Sequence, residues 1–303
     1  MEKVMPRSRI KMRASNNHRN WSDRQSPGTT HPSMAASVPA QEEIDSLLQE
    51  RLELHAQLFE SAQIHRKLSG PRALQFRDMQ FASEVFAARY LPGDFTMLSQ
   101  TDSRVFMTLG DIAGKGFAAG MWFTNLAGLL QSYGRPDSDP GKTASEINRH
   151  LCYLRPVAPF VTAFIAQVDC DLGTLTYCNA GHFAPILLRA DGRIEMLATG
   201  GPLLGAIAEA KFESGQVTFE PGDALVVYSD GVLECRGTSG EEFGSTNLLS
   251  ATRRARQHTA QATLMSLLGA VQDYANGNSL ADDVSLAVIQ RDALVTEPVP
   301  RAA

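Results

Sequence analysis

The stretch Phe160-Val161-Thr162-Ala163-Phe164-Ile165-Ala166-Gln167-Val168-Asp169-Cys170-Asp171-Leu172-Gly173-Thr174-Leu175-Thr176-Tyr177-Cys178 decides the fold. Phe160 to Val168 is apolar and β-branched, the texture of a buried strand. Asp171-Leu172-Gly173 is a turn, and Thr174 to Cys178 reads as the return strand of a hairpin. Downstream, Pro185 to Leu188, a turn at Asp191-Gly192 and Ile194 to Leu197 make a second hairpin. Gln216 to Phe219 is another strand, from which Pro221-Gly222-Asp223 turns into Ala224 to Tyr228. The last strand is Val284 to Ile289. Upstream, Val85-Phe86-Ala87 starts an extended piece that turns at Pro92-Gly93 into Asp94-Phe95, and Val105 to Leu109 reads as a buried strand. Helices are expected from Phe117 to Tyr133, closed by Gly134 and Pro136, and from a capping box of Thr143 and Glu146 through Leu154. A third covers Ala262 to Ala275. Strands in antiparallel runs, with helices in two blocks, predict an α+β protein whose helices pack on stacked sheets.

Length and composition bound the rest. With 303 residues the chain holds one large domain or two modest ones, and 43% hydrophobic and 20% charged residues are ordinary for a globular core. A net charge of −5 argues against a dedicated nucleic-acid binder. Cys152, Cys170, Cys178 and Cys235 show no C-x-x-C pair and read as reduced thiols of a cytoplasmic protein. The N-terminal stretch lacks the apolar core of a signal peptide. The most membrane-like window, Phe117 to Leu130, is too short to span and contains Thr124 and Asn125. Residues 1–40, rich in Arg, Ser, Asn and Pro, are expected to be a disordered tail. Residues 41–70 carry Ile44, Leu47, Leu54 and Leu58 at helical spacing, widened by Leu48 and Leu52 and stopped by Ser69-Gly70-Pro71. With Arg51 in its seam, this amphipathic helix suits packing on its own domain, homodimerisation or docking of a regulatory protein. Residues 71–292 form the main domain and 293–303 a flexible tail.

Chemistry concentrates in Leu109-Gly110-Asp111-Ile112-Ala113-Gly114-Lys115-Gly116. A carboxylate at the end of a buried strand is costly unless paired or bound to a cation, and the glycines allow backbone to approach it. Taken alone, Asp111 reads more simply as the N-cap of the following helix. Three other acids share its kind of address. Asp94 follows the Pro-Gly turn, Asp230 ends the strand Ala224 to Tyr228, and Asp282, with Asp283 beside it, precedes the final strand. Each alone fits a turn or cap, but several carboxylates gathered at strand ends repel one another without cations between them. Hard divalent cations take such oxygen ligands. Lys115 can meet a substrate phosphate or cover the glycine loop. His182 fits a structural hydrogen bond at a turn, Met121 and Trp122 fit the core, and Asp169, Asp171 and Asp191 fit turns.

The ordered set Phe86-Ala87-Ala88-Arg89-Tyr90-Leu91-Pro92-Gly93-Asp94-Phe95, Gly110-Asp111-Ile112-Ala113-Gly114-Lys115-Gly116, Phe160-Val161-Thr162-Ala163, Asn179-Ala180-Gly181-His182, Tyr228-Ser229-Asp230-Gly231-Val232-Leu233-Glu234 and Asp282-Asp283-Val284-Ser285 resembles the PPM (protein phosphatase 2C-like) metal-dependent Ser/Thr phosphatases, bacterial SpoIIE/RsbU-type branch. The resemblance runs roughly from Ala62 to Gln290. It implies an α-β-β-α sandwich of two antiparallel sheets flanked by helices, with two Mn²⁺ or Mg²⁺ ions between the sheets at one end. By the same resemblance Asp111 bridges both ions, Asp94 and the Ile112 backbone carbonyl complete one site, and Asp230 and Asp282 hold the other. A metal-activated water would then attack phosphorus directly.

Two departures stand out. The family usually shows Gly-Gly-Asp-Phe-Tyr-Asp where this chain has Pro92-Gly93-Asp94-Phe95-Thr96-Met97, and often Ser where Ala113 stands. The resemblance implies dephosphorylation of phosphoserine or phosphothreonine on an anti-sigma-factor antagonist (STAS-type) protein in a partner-switching circuit. The alternative is a catalytically weak or inactive binding module of the same fold. A small-phosphoester or nucleotide hydrolase is disfavoured by the lack of a G-x-x-x-x-G-K-[ST] loop.

Overall fold

The structure, a computed structural model, describes residues 38–135, 137–255 and 259–293, with side chains from residue 41 onward. The expected N-terminal tail, apart from 38–40, and all but the first residue of the C-terminal tail lie outside the described residues. In chain order the elements are α1 (Val38–Leu68), β1 (Ala73–Phe76), β2 (Met79–Phe86), β3 (Asp94–Thr101), β4 (Arg104–Ile112), α2 (Phe117–Tyr133), α3 (Pro140–Tyr153), β5 (Val161–Asp169), β6 (Thr174–Ala180), β7 (Ile186–Leu188), β8 (Ile194–Met196), β9 (Gly200–Gly201), β10 (Gly215–Thr218), β11 (Ala224–Tyr228), α4 (Asp230–Leu233), α5 (Gly244–Arg254), α6 (Ala260–Ala275) and β12 (Val284–Arg291). The chain divides into two compact units within α1, at Gln49 and Glu50. In the first unit Ile44, Leu47 and Leu48 are exposed. All that follows concerns the second.

Two sheets carry the fold. One has the strand order β10-β6-β5-β4-β3, with β9 beside β6, and the other β1-β2-β12-β11-β7-β8. Every pairing is antiparallel except the two-residue β6–β9 contact. Alternation along each strand sorts the side chains into three cores. Val105, Met107 and Leu109 of β4 meet Leu225 and Val227 of β11 and Ala287 and Ile289 of β12 between the sheets. Phe106 of β4, Phe95 and Met97 of β3 and Ile165 of β5 face the other way, onto Phe123 and Leu126 of α2 and Ile147 of α3. On the far side Val226, Leu286 and Val288 pack on Leu248 of α5 and Leu264 and Leu267 of α6. This is the α-β-β-α sandwich expected from the sequence.

Local detail departs from the sequence reading in places. Pro221-Gly222-Asp223 does not close a hairpin: β10 lies in one sheet and β11 in the other, so this turn carries the chain between them. Asp223 anchors the crossing by accepting from the Ala190 and Glu220 amides and from Arg189. Helix α3 is capped by Asp139, which accepts from the Lys142 amide at 2.9 Å, and not by a Thr143–Glu146 box. The Thr143 hydroxyl donates instead to the Tyr133 carbonyl. Met121, expected in the core, is 59% exposed. Strand β2 begins earlier than expected and stops at Phe86, leaving 87–93 as a loop. Among the described residues no helix is long and apolar enough to cross a membrane.

Helix α1 ends where Gly70 takes a φ of 80°, a conformation glycine adopts without steric cost. In its last turns His65 is buried and stacks on Phe123 of α2, ring centroids 4.0 Å apart. Burial lowers the His65 pKa to about 4. A histidine held neutral in the fold contributes stability that is complete above its unfolded pKa, about 6.5. That contribution is lost as pH falls toward 4, because the unfolded chain binds the proton more readily. His65→Phe keeps the stack, and pH-dependent denaturation should show a flatter acid limb between pH 6.5 and 4, by up to ~3 kcal/mol. Glycine substitutions test the packing of β4. A Cβ at Gly110 would lie 2.3 Å from the Thr162 carbonyl oxygen, whereas one at Gly128 on α2 would meet nothing within 4 Å. In urea melts Gly110→Ala should cost ~1–3 kcal/mol, and Gly128→Ala should stabilise by ~0.5–1 kcal/mol.

Candidate metal centre

Register brings the first two acids together. Asp94, the first residue of β3, is the direct cross-strand partner of Asp111 near the end of β4, and both point between the sheets. Like charges placed opposite one another on one face of a sheet are destabilising. Asp230 comes from the opposite sheet, where β11 ends and α4 begins. One oxygen from each of Asp94, Asp111 and Asp230 lies within 4.8 Å of the others. Asp111 is thus a strand residue, and the helix-cap reading is excluded: α2 is capped by Gly116, which has no side chain to cap with.

The surroundings enforce this approach. Asp283 is buried, and its two oxygens accept from the Ala88 amide at 2.7 Å and the Gly93 amide at 2.6 Å, clamping the loop that delivers Asp94. Ser229 donates its amide to the Ser285 carbonyl and accepts the Ser285 amide on its hydroxyl, tying β11 to β12 where Asp230 leaves the sheet. A Cβ at Gly231 would fall 1.9 Å from the Asp283 carbonyl oxygen, so only glycine lets α4 lie against that segment. At Gly93 a Cβ would stand 3.0 Å from the Ile112 carbonyl oxygen and 3.1 Å from an Asp111 carboxylate oxygen. The Ile112 carbonyl therefore flanks the acids. Gly114 and Gly116 serve differently: nothing lies within 4 Å of a Cβ there, but their φ values of 116° and 74° are positive.

Electrostatics register the crowding. Burial pushes Asp94 well above the usual carboxylate range, with Asp111 and Asp283 adding to the rise and a hydrogen bond from Ser229 opposing it. Its Oδ2 is buried without a hydrogen-bond partner. Burial, then the charges of Asp230, Asp282 and Asp283, push Asp111 up to about 6. Asp230 is raised by burial and by Asp282. Asp282 stands outside the three-acid set: its Oδ2 meets the Lys115 ammonium at 2.5 Å and its Oδ1 accepts the Asp283 amide. Lys115 is half exposed and its pKa is raised by that bond. His182 is buried, with Nδ1 3.0 Å from the hydroxyl of Thr162, the cross-strand partner of Asp111. Burial lowers its pKa to about 4, so it is neutral. Asp169 and Asp191 accept turn amides, as their positions in the sequence suggest. Asp283, Ser229 and Thr162 were not singled out from sequence. Their only signal was adjacency to a candidate ligand or membership of a motif block.

A buried carboxylate oxygen without a donor, beside two more carboxylates whose protons are held by burial and by neighbouring negative charges, is a donor set that suits a hard divalent cation.

Residues 101–292 match the family model described as Stage II sporulation protein E (SpoIIE), and the chain belongs to that family. It is 25% identical over 237 residues to Protein IcfG of Synechocystis sp., covering 68% of this chain and 37% of that protein. It is 23% identical over 242 residues to Phosphoserine phosphatase RsbU of Bacillus subtilis, covering 79% and 71%. The SiaA-PP2C domain of Pseudomonas aeruginosa superposes with a TM-score of 0.69 at 16% identity, covering 80% of this chain and 99% of that one. The fold is therefore that of the PP2C-type phosphatases, while the chain spans just over a third of IcfG.

If the three acids take up cations, Mn²⁺ at a hundredfold excess over its dissociation constant should stabilise the folded protein by about 2.7 kcal/mol. A thermal-shift titration should show this for the wild type and not for Asp111→Asn. Asp94→Asn should raise the melting temperature without metal, since it replaces a carboxyl whose ionised form is disfavoured by burial and by Asp111.

Proposed function

We propose that this chain is a metal-dependent protein-serine/threonine phosphatase. The observation that carries the reading is the cross-strand Asp94–Asp111 pair, closed by Asp230 from the other sheet. Asp94, Asp111, the Ile112 carbonyl, Asp230 and Asp282 would hold two Mn²⁺ or Mg²⁺ ions, with Asp111 shared between them. When bound, such ions neutralise phosphoryl oxygens and lower the pKa of a water at neutral pH.

The chain's own contribution is placement. Asp94 and Asp111 are fixed by their strands, and Asp230 by the Gly231 contact with Asp283. Lys115 and Asp282 line a polar groove of about 430 Å³ together with Glu234, Arg236 and Ser279. There the Lys115 ammonium would hold a phosphate oxygen. Ala113 brings no hydroxyl, and His182 is neutral and engaged by Thr162, so neither supplies the leaving group's proton. That proton falls to solvent in the groove.

The substrate we infer is a phosphorylated anti-sigma-factor antagonist of the STAS type, within a partner-switching circuit. The support is membership of the SpoIIE family and similarity to a protein named as a phosphoserine phosphatase. The long α1, with Leu52, Leu54 and Phe59 exposed, suits a regulatory protein or a second copy of the chain.

Mn²⁺-dependent phosphate release from a phosphorylated STAS protein tests the proposal. Asp111→Asn should lower kcat/KM by ~10²–10³, the scale of losing a group that stabilises transition-state charge. Lys115→Met should lower it about tenfold, the scale of one hydrogen bond to a charged group. Equal background rates for wild type and Asp111→Asn would leave the binding-module reading in its place.

A further inference from the structure

Beside the polar groove lies a second concavity of about 260 Å³ with a different lining: Phe86, Leu268, Val271, Ala275, Leu280 and Val284. Ala275, Asn278 and Leu280 line both, so the end of α6 and the segment after it form a shared wall. The floor belongs to the core under α6, where Val271, Ala275 and Val284 are buried. The lip does not: Phe86 is 45% exposed at the end of β2. Phe86 pairs across the sheet with Val284, two residues beyond Asp282, which places the pocket next to the candidate metal centre.

Apolar surface left open to water is unfavourable in proportion to its area. Here it is concave and shares a wall with the groove in which the proposed phosphate would sit. Gln272 and Asn278 are the polar side chains of the lining, too few to orient a polar small molecule. The volume suits one large aliphatic or aromatic side chain. A polypeptide advances ~3.3 Å per residue when extended, so a chain with phosphoserine in the groove brings a nearby side chain to the pocket mouth.

We propose that this pocket receives an apolar side chain of the phosphoprotein, a few residues from the phosphoserine, and selects substrates by it. The proposal rests on the phosphatase reading. It assigns Phe86 and Leu268 to specificity, and it predicts discrimination without a change in the chemistry of phosphate release.

The test uses a phosphoserine peptide library randomised around the phosphorylated residue, incubated with the full chain and Mn²⁺ and read by sequencing the dephosphorylated products. The wild type should enrich Leu, Ile, Met or Phe about tenfold at one fixed offset, the scale of burying such a side chain. Leu268→Glu, and independently Phe86→Ala at the exposed lip, should abolish that enrichment while hydrolysing p-nitrophenyl phosphate at the wild-type rate. Phosphate release without positional preference overturns the pocket and leaves the phosphatase reading standing. So does a preference that survives both variants, or an equal loss of p-nitrophenyl phosphate hydrolysis in both. A wild type that releases no phosphate from the peptides or from p-nitrophenyl phosphate overturns the phosphatase reading and the pocket with it.

Discussion

The repulsion between Asp94 and Asp111 is the constraint on which the structure turns. Two carboxylates sit directly opposite on adjacent strands, facing into the gap between two sheets, where water is scarce and charge is expensive. Left to itself such a pair would splay or take up protons, and the pKa of Asp94 rises through burial and through the charges of Asp111 and Asp283. A fold tolerates it only if the rest of the molecule holds the strands in register more strongly than the charges push them apart. The long β3–β4–β5 ladder, backed by Phe95, Phe106 and Phe123 on one face and Met107 and Leu109 on the other, supplies that hold.

The second sheet completes the arrangement with fixed hydrogen bonds. Asp283 spends both oxygens on the loop before Asp94, and Ser229 and Ser285 lock β11 to β12 immediately before Asp230. Gly231 removes the one side chain that would separate these segments. Of the two neighbouring acids at the head of β12, one is therefore structural and inward, and the other, Asp282, is outward and free to meet a cation. In this structure that cation is the Lys115 ammonium.

Much of this was legible in the sequence because strand burial has a strong signal. The runs Phe160 to Val168 and Ala224 to Tyr228 lie between two apolar layers and so read as nearly continuous hydrophobic stretches, which fixed the stacked-sheet class. The acids stood out because each lies at the edge of an apolar strand. What alternation cannot reveal is pairing between distant strands. Nothing local says that β10 and β11, five residues apart, join different sheets, nor that Asp94 and Asp111 fall opposite one another. Asp283 was hidden for a related reason: in Asp282-Asp283 the two side chains differ only in which way the backbone aims them. The α3 cap was misread because Asp139 and the Thr143–Glu146 pattern compete for one helix start, and Pro140 at its first turn favours the earlier one.

The departures from the family pattern acquire different weights once the faces are known. Asp94 and Met97 are an odd number of residues apart on one strand, so their side chains point to opposite sides of the sheet. Met97 packs with Phe95, Phe106 and Phe123 under the helices, away from the carboxylates, and an acid in that apolar cluster would lack a partner. Its replacement by Met removes a charge from the helix side and takes no ligand from the inter-sheet gap. Ala113 is the departure that reaches the site. It follows Ile112 directly, its amide is committed to the Phe160 carbonyl, and its side chain is exposed beside the glycine loop. An alanine there leaves the loop with the Asp111 carboxylate and the Ile112 backbone carbonyl but no side-chain hydroxyl. In the proposed phosphatase the chemistry would then be set by how the carboxylates hold cations and how Lys115 divides itself between Asp282 and a phosphate.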